Sequence, residues 1–214
     1  MSWSGGKDSA IALHEVLEEG ALDVQALITT VSGEFDRISM HGVRRSLLSR
    51  QAENLGLPLQ EVILPARPSD REYEALMEEL LAEHRNRGIS GVVFGDVLLE
   101  DVRKFRERNL ARAGMEGIFP LWGRDTGSLA HGFIESGFKA VVTCVDSQAL
   151  DGTFIGRAFD EVFLAQLPGE VDPSGEKGEF HTFVHDGPIF ARSVAFEVGE
   201  VVLRDNRFYF IDLI

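Results

Sequence analysis

The chain has 214 residues, 44% of them apolar and 26% charged, enough for one large or two small domains with a packed core. A net charge of −14 and a pI of about 4.8 disfavour a long polyanion such as DNA or tRNA, while a small anion stays compatible. No run of roughly 18 apolar residues and no charged-then-apolar leader occurs, so no membrane span or secretion signal is expected and the cytosol is the predicted compartment.

Only Met1-Ser2-Trp3 precede the string Ser4-Gly5-Gly6-Lys7-Asp8-Ser9, so the first strand is either unusually short or begins upstream of Met1. The string has a physical reading. Gly5 and Gly6 lack Cβ atoms, which lets the backbone curl and bring N–H groups against a ligand. A helix predicted from about Asp8 to Glu19 adds unpaired N–H donors and a positive dipole end, which suit a phosphate. Lys7 contributes a full positive charge, and Ser4 and Ser9 contribute hydroxyls. The helix sets Ala12, Leu13, Val16 and Leu17 on one face and stops at Gly20. A Walker A loop is excluded, because Asp8 rather than Ser or Thr follows Lys7 and the earlier glycine is missing.

Short apolar runs then alternate with helical patterns, the signature of βαβ units. Val24–Val31 reads as strand two, with Thr29 and Thr30 at the carboxyl end where a doubly wound fold holds adenosine. Met40-His41-Gly42-Val43-Arg44 opens a helix from Gly42 to Leu55, and His41 there is equally a capping or surface histidine or a ligand contact. Leu59–Leu64 is strand three. A long acidic helix follows from Ser69 or Asp70 to Arg87, and Gly91–Phe94 is strand four. Behind that strand, Gly95 allows close backbone approach, and Asp96 is placed to hold Mg²⁺ or orient a nucleophile. Val102–Ala113 is a charged helix and Gly117–Pro120 a short fifth strand. Right-handed crossovers make this a mostly parallel, doubly wound sheet with its ligand at the carboxyl ends of the strands.

The pattern changes near residue 122, which divides the chain into an ATP-binding segment, 1–122, and a smaller α+β segment, 123–214. In the second part Asp125–Ser136 reads as a helix, Phe138–Val145 as a strand and Arg157–Leu167 as a helix. Val194–Leu203 and Arg207–Leu213 read as a hairpin around Arg204-Asp205-Asn206. The single cysteine, Cys144, falls in an apolar run and is expected to be a buried, inert thiol. The densest polar constellation is late, Asp172 to Pro188. Within it Glu179 and His181, two apart at the head of a strand, are expected on one face, where a carboxylate and an imidazole can orient a substrate or move a proton.

The Ser4–Ser9 string resembles the PP-loop of enzymes that split ATP between its α and β phosphates. Together with Met40-His41-Gly42-Val43-Arg44, Phe94-Gly95-Asp96-Val97, Phe119-Pro120-Leu121-Trp122 and Gly178-Glu179-Phe180-His181-Thr182-Phe183, the chain resembles the diphthine–ammonia ligases and their bacterial and archaeal relatives over nearly its whole length. The resemblance implies an adenine nucleotide α-hydrolase-like domain, ATP, ammonia, and a carboxylate acceptor such as diphthine on elongation factor 2. It implies adenylation of that carboxylate followed by amide formation. Chemical need then assigns Ser4, Gly5, Gly6, Lys7, Asp8, Ser9, Thr29, Thr30, His41 and Gly95 to ATP, and Asp8 and Asp96 to Mg²⁺. Lys7, Asp8, Asp96, Glu179 and His181 are the candidate catalytic set. Two departures stand out. Ser174 and Lys177 replace the family's usual Cys and Asn in the late loop, and the chain lacks the extra C-terminal domains of long eukaryotic members. A homodimer through the β-rich tail or the acidic helix is compatible with the sequence. A tRNA-modifying enzyme or a non-catalytic ATP sensor are the competing readings, and the acidic balance and the late constellation count against them.

Overall fold

The computed structural model describes residues 1–38, 42–65 and 69–214. His41 lies outside them. Helix α1 (Lys7–Glu19) ends at Gly20 as expected, but its buried arc runs through Lys7, Ser9–Leu13 and Val16, leaving Leu17 47% exposed. Strand β1 (Leu27–Ser32) pairs with the two-residue β2 (Arg37–Ile38), which the sequence reading does not contain. Helix α2 (Arg45–Leu55) begins later than expected, and β3 (Leu59–Leu64) falls on its expected residues and pairs parallel with β1. Helix α3 (Asp70–Asn86) opens with a capping box in which Ser69 and Glu72 satisfy each other's backbone N–H groups. Strand β4 (Gly91–Val93) pairs parallel with β5 (Glu116–Ile118) across helix α4 (Glu100–Ala113).

The expected continuous sheet is found as a three-stranded mixed sheet, β2-β1-β3, and a parallel pair, β4-β5. Residues 1–3 lie between them. The Ile28 N–H donates to Met1 O at 2.8 Å and the Trp3 N–H to Ile28 O at 2.7 Å, while the Ser2 N–H donates to Val93 O at 2.9 Å. The short first segment therefore bonds to β1 on one side and β4 on the other.

The later elements are α5 (Thr126–Glu135), β6 (Lys139–Asp146), a 3₁₀ turn at Gly152–Phe154, α6 (Glu161–Gln166), β7 (Phe180–Asp186), β8 (Val198–Arg204) and β9 (Phe208–Leu213). Helix α6 starts four residues after Arg157 because Asp160 caps it, accepting from the Phe163 N–H at 2.8 Å. The tail hairpin turns at Asp205 and Asn206, both with left-handed φ near 50°, the conformation Asn and Asp tolerate in two-residue turns. These strands form an antiparallel sheet in the order β7-β6-β9-β8. The largest apolar cluster crosses residue 122 without a break, joining Trp3, Leu13 and Leu47 to Phe133, Phe163, Phe180, Phe183 and Leu213. Cys144 is buried, and burial pushes its thiol up to about 12, which removes the thiolate that reactivity requires.

A cluster of two arginines ties the tail to the first half. Arg44 donates to Asp212 at 3.0 and 2.6 Å, and Arg37 pairs with it at 2.8 Å. The bonds from Arg44 lead in holding the Asp212 carboxyl down to about 2. A depressed carboxyl stabilises the fold above its ordinary value, and that support is lost as pH falls toward the folded value. Asp212→Asn is expected to cost roughly 1–2 kcal/mol at neutral pH after allowance for solvent screening. Thermal melts should show the gap between the variant and the parent closing as pH falls from about 4 to about 2.

Candidate active site

Gly5 adopts φ of 79°, open to glycine at little cost, and a Cβ there would lie 2.7 Å from Gln51 Oε1. The turn is held from three directions. The Val184 N–H donates to Gly5 O at 2.9 Å, and Gln51 Nε2 donates to Gly5 O and Val184 O at 3.0 and 2.6 Å. Gln51 Oε1 accepts from Trp3 Nε1 at 2.9 Å. Thr182 Oγ1 accepts the Lys7 N–H at 3.1 Å. Strand β7, late in the chain, thus braces the loop at its start.

Inside the loop, Ser4 Oγ accepts the Gly6 N–H at 3.2 Å and lies 3.2 Å from Ser9 Oγ. Ser9 Oγ donates to Gly6 O at 2.8 Å. Lys7, 4% exposed, points its Nζ at both Asp8 carboxylate oxygens, 2.9 Å each, and lies 5.7 Å from the centre of the Phe180 ring. Gly95 packs so tightly on the start of α1 that a Cβ would sit 2.7 Å from the Asp8 carbonyl carbon and 2.9 Å from Ser9 N. Backbone atoms cannot swing aside, so any side chain at residue 95 would displace the loop.

A cleft of about 330 Å³ opens above this turn, lined by Ser4, Lys7, Asp8, Ser9, Gly95, Asp96, Arg106, Glu176, Lys177, His181 and Thr182 among others. Loop, post-β4 turn and late constellation therefore converge. A second cavity of about 340 Å³ shares Ser2, Ser4, Phe94 and Arg106 with it, and its lining includes Thr29, Thr30, Tyr73, Met77 and Phe105. The paired cavities, one ringed by the loop and by charged and hydroxyl side chains, the other largely apolar, suit a phosphorylated nucleoside laid across the sheet edge.

Matches to known proteins place the chain in a family. A family model described as the diphthamide synthase N-terminal domain matches residues 1–117, and one described as the C-terminal domain matches residues 125–212. The chain belongs to the diphthamide synthase family. Proteins named diphthine–ammonia ligase from Danio rerio and Homo sapiens are 27% and 26% identical to it over 95% and 94% of this chain, and it covers 88% and 83% of them. A protein of the same name from Schizosaccharomyces pombe is 24% identical over 93% of this chain, which spans 36% of that longer protein.

Within this diphthamide synthase family member, Asp96 and Glu179 differ from their expected settings. Arg106 Nη2 donates to Asp96 at 3.1 Å and Arg106 Nε lies 2.7 Å from its other oxygen, while the guanidinium stacks 4.3 Å from the Phe94 ring centre. Burial pushes the Asp96 carboxyl up, Arg106 pulls it back, and the charge of Asp8 adds to the rise. Glu179 does not share the cleft face with His181. It precedes β7, and its carboxylate accepts from the Asp172 N–H at 3.1 Å and the Lys177 N–H at 3.0 Å, closing the 172–179 loop on itself. His181 does line the cleft.

Three polar residues absent from the expected set belong to the site. Gln51 is one, fully buried in what reads as an ordinary amphipathic helix. Arg106 is another, and its spacing from Val102 and Asn109 on the cavity-facing side of α4 was the available signal. The third is Glu176, whose Oε1 accepts from the Val97 and Leu98 N–H groups at 3.0 and 3.1 Å across the cleft. Burial raises the Glu176 carboxyl, those two bonds oppose the rise, and the nearby Asp8 charge adds to it. Glu176→Ala is expected to lower the melting temperature by several degrees, since two N–H groups lose a charged acceptor. Glu176→Gln keeps the acceptor oxygen and should recover most of that loss, which a thermal melt of both variants will read.

Proposed function

We propose that the chain is an ATP-dependent amide-forming ligase that adenylates a carboxylate and then passes the acyl group to ammonia. The observation that carries this reading is the convergence of the Ser4–Ser9 loop, Gly95-Asp96 and the Glu176–Thr182 segment on one cleft. We read β3, β1, residues 1–3, β4 and β5 as one doubly wound sheet, with the cleft at its carboxyl edge and residues after about 122 supplying the acceptor side. The name borne by the relatives supports diphthine as the acceptor and ammonia as the nitrogen source.

In the adenylation step an acceptor carboxylate oxygen attacks the α-phosphorus of ATP, the bond from that phosphorus to the bridging oxygen breaks, and pyrophosphate leaves. Backbone N–H groups at the start of α1, with Lys7 and Ser9, offset the charge growing on the departing pyrophosphate. The apolar cavity beside Thr29 and Thr30 takes the nucleoside. In the second step ammonia attacks the acyl carbon, its surplus proton is lost, the carbon–oxygen bond to AMP breaks and the amide remains. His181 faces the cleft from the acceptor side and is assigned to orient the acceptor or accept that proton. Glu179 is assigned a positioning role, because its carboxylate shapes the loop that carries Glu176 and Lys177.

The donor set fits Mg²⁺. Asp8 and Asp96 both line the cleft, and no group of three His, Cys, Asp or Glu among the described residues is arranged to hold a metal by itself. A hard cation held by one or two carboxylates and completed by phosphate oxygens matches that arrangement. When bound, Mg²⁺ would neutralise charge on the phosphates. Among the described residues, no helix is long and apolar enough to cross a membrane, and a cytoplasmic setting accords with the composition.

The test is stoichiometric. AMP and pyrophosphate should form from ATP only with a carboxylate acceptor present, and labelled nitrogen from ammonia should enter the product amide. ATP binding with no AMP formed even when acceptor and ammonia are present would favour the sensor reading, and salt-sensitive binding of bulk tRNA would favour RNA modification.

A further inference from the structure

The two edges of the antiparallel sheet are treated differently. At one end, β7 is covered by the first half of the chain through the Val184–Gly5 and Gln51–Val184 hydrogen bonds. At the other end, β8 pairs only with β9 among the described residues. The strand is apolar on both sides along this bare edge. Val201, Val202 and Leu203 are 48%, 39% and 48% exposed, and Val198 is more open still. Edge strands usually carry a lysine, a proline or an inward charge that blocks pairing. Residues 201–203 carry none of these, and the irregularity β8 does have, a register shift against β9, lies before them, between Val198 and Val201.

We infer that β8 is a self-association edge, on which a second copy of this chain pairs antiparallel about a two-fold axis through Val202. The charges on the strand argue for a second copy rather than an unrelated partner. An antiparallel two-fold at Val202 sets each residue opposite the one whose number completes the same sum. Val202 then meets its own copy, Val201 meets Leu203, and Glu200 meets Arg204. Directly opposed residues share a face, so both Glu200–Arg204 pairs lie on the side where Glu200, Val202 and Arg204 already line a groove with Phe210 and Asp212. Arg204 is held over the Phe35 and Phe210 rings, at 5.2 and 5.5 Å, which fixes its guanidinium near the edge before any partner arrives. Shifting the axis by one residue either way would set Glu200 opposite Val202 or Asn206, so the charge pattern selects one register. The result is an eight-stranded sheet running through both copies, with each cleft at the far, β7 side and open.

One strand pair is a small interface, so the dimer should be weak and concentration-dependent. Sedimentation velocity over a concentration series is the measurement. The parent should pass from monomer to dimer in the micromolar range. E200R alters an exposed side chain outside the cleft and creates two like-charge contacts per dimer, so it should weaken association at least about tenfold. R204E should do the same, and E200R/R204E should restore association to within about threefold of the parent. Unchanged melting and AMP-forming activity in E200R will show that the fold is intact. A parent that stays monomeric throughout, or a dimer indifferent to all three substitutions, would overturn the proposal.

Discussion

Lys7→Ala is expected to reduce the AMP-forming rate about 10²–10³-fold, the scale on which loss of one preorganised charge-stabilising group acts. The effect has two parts. The ammonium that meets the phosphates is gone, and Asp8 loses the partner that holds both its oxygens at 2.9 Å. That leaves Asp8, Asp96 and Glu176 facing one cleft against Lys177 and an Arg106 already engaged on Asp96. A triphosphate then enters a net-negative site, so ATP affinity should fall at least about tenfold as well. Isothermal titration with ATP and a pyrophosphate-release assay separate the two parts. Lys7→Met keeps an unbranched, buried side chain without the ammonium and should reproduce the loss. A variant that binds and cleaves ATP like the parent while melting lower would mean that Lys7 serves the fold alone.

What the sequence made legible follows from how local each signal is. The Ser4–Ser9 turn was readable because glycine freedom, a helix start and a lysine are all decided within six residues. The stop at Gly20 and the helix start at Ser69 or Asp70 are local in the same sense. Leu17 was misassigned because periodicity alone does not say how wide the buried arc is or where it ends, and here the arc takes in Lys7, Ser9 and Ile11 instead. Glu179 was misassigned because the same-face rule applies only inside a strand, and β7 begins one residue later. Gln51 gave no signal. A polar residue in an amphipathic helix reads as solvated, and its burial depends on residues 5 and 184 arriving from opposite ends of the chain. For the same reason the link between Glu176 and the 97–98 turn was unreadable, since nothing in either segment announces the other.

Gln51→Met should lower stability by roughly 2–4 kcal/mol, because a side chain of similar volume leaves Trp3 Nε1 and the Val184 carbonyl short of partners in a dry interior. For a chain of this length that corresponds to a fall of roughly 5–15 °C in melting temperature. The functional loss should exceed what the melt implies. Gln51 is the side chain that touches Trp3, Gly5 and β7 at once, so its removal loosens the phosphate turn against the strand bearing His181 and Thr182. At a temperature where the variant is fully folded, ATP affinity should still be several-fold weaker than the parent's. Gln51→Glu should be worse than Gln51→Met, since a carboxylate cannot donate to two carbonyls and adds a buried charge without a cation beside it. If Gln51→Met melts with the parent and binds ATP equally well, the loop is held by the Val184–Gly5 and Lys7–Thr182 hydrogen bonds alone, and the buried amide is a passenger.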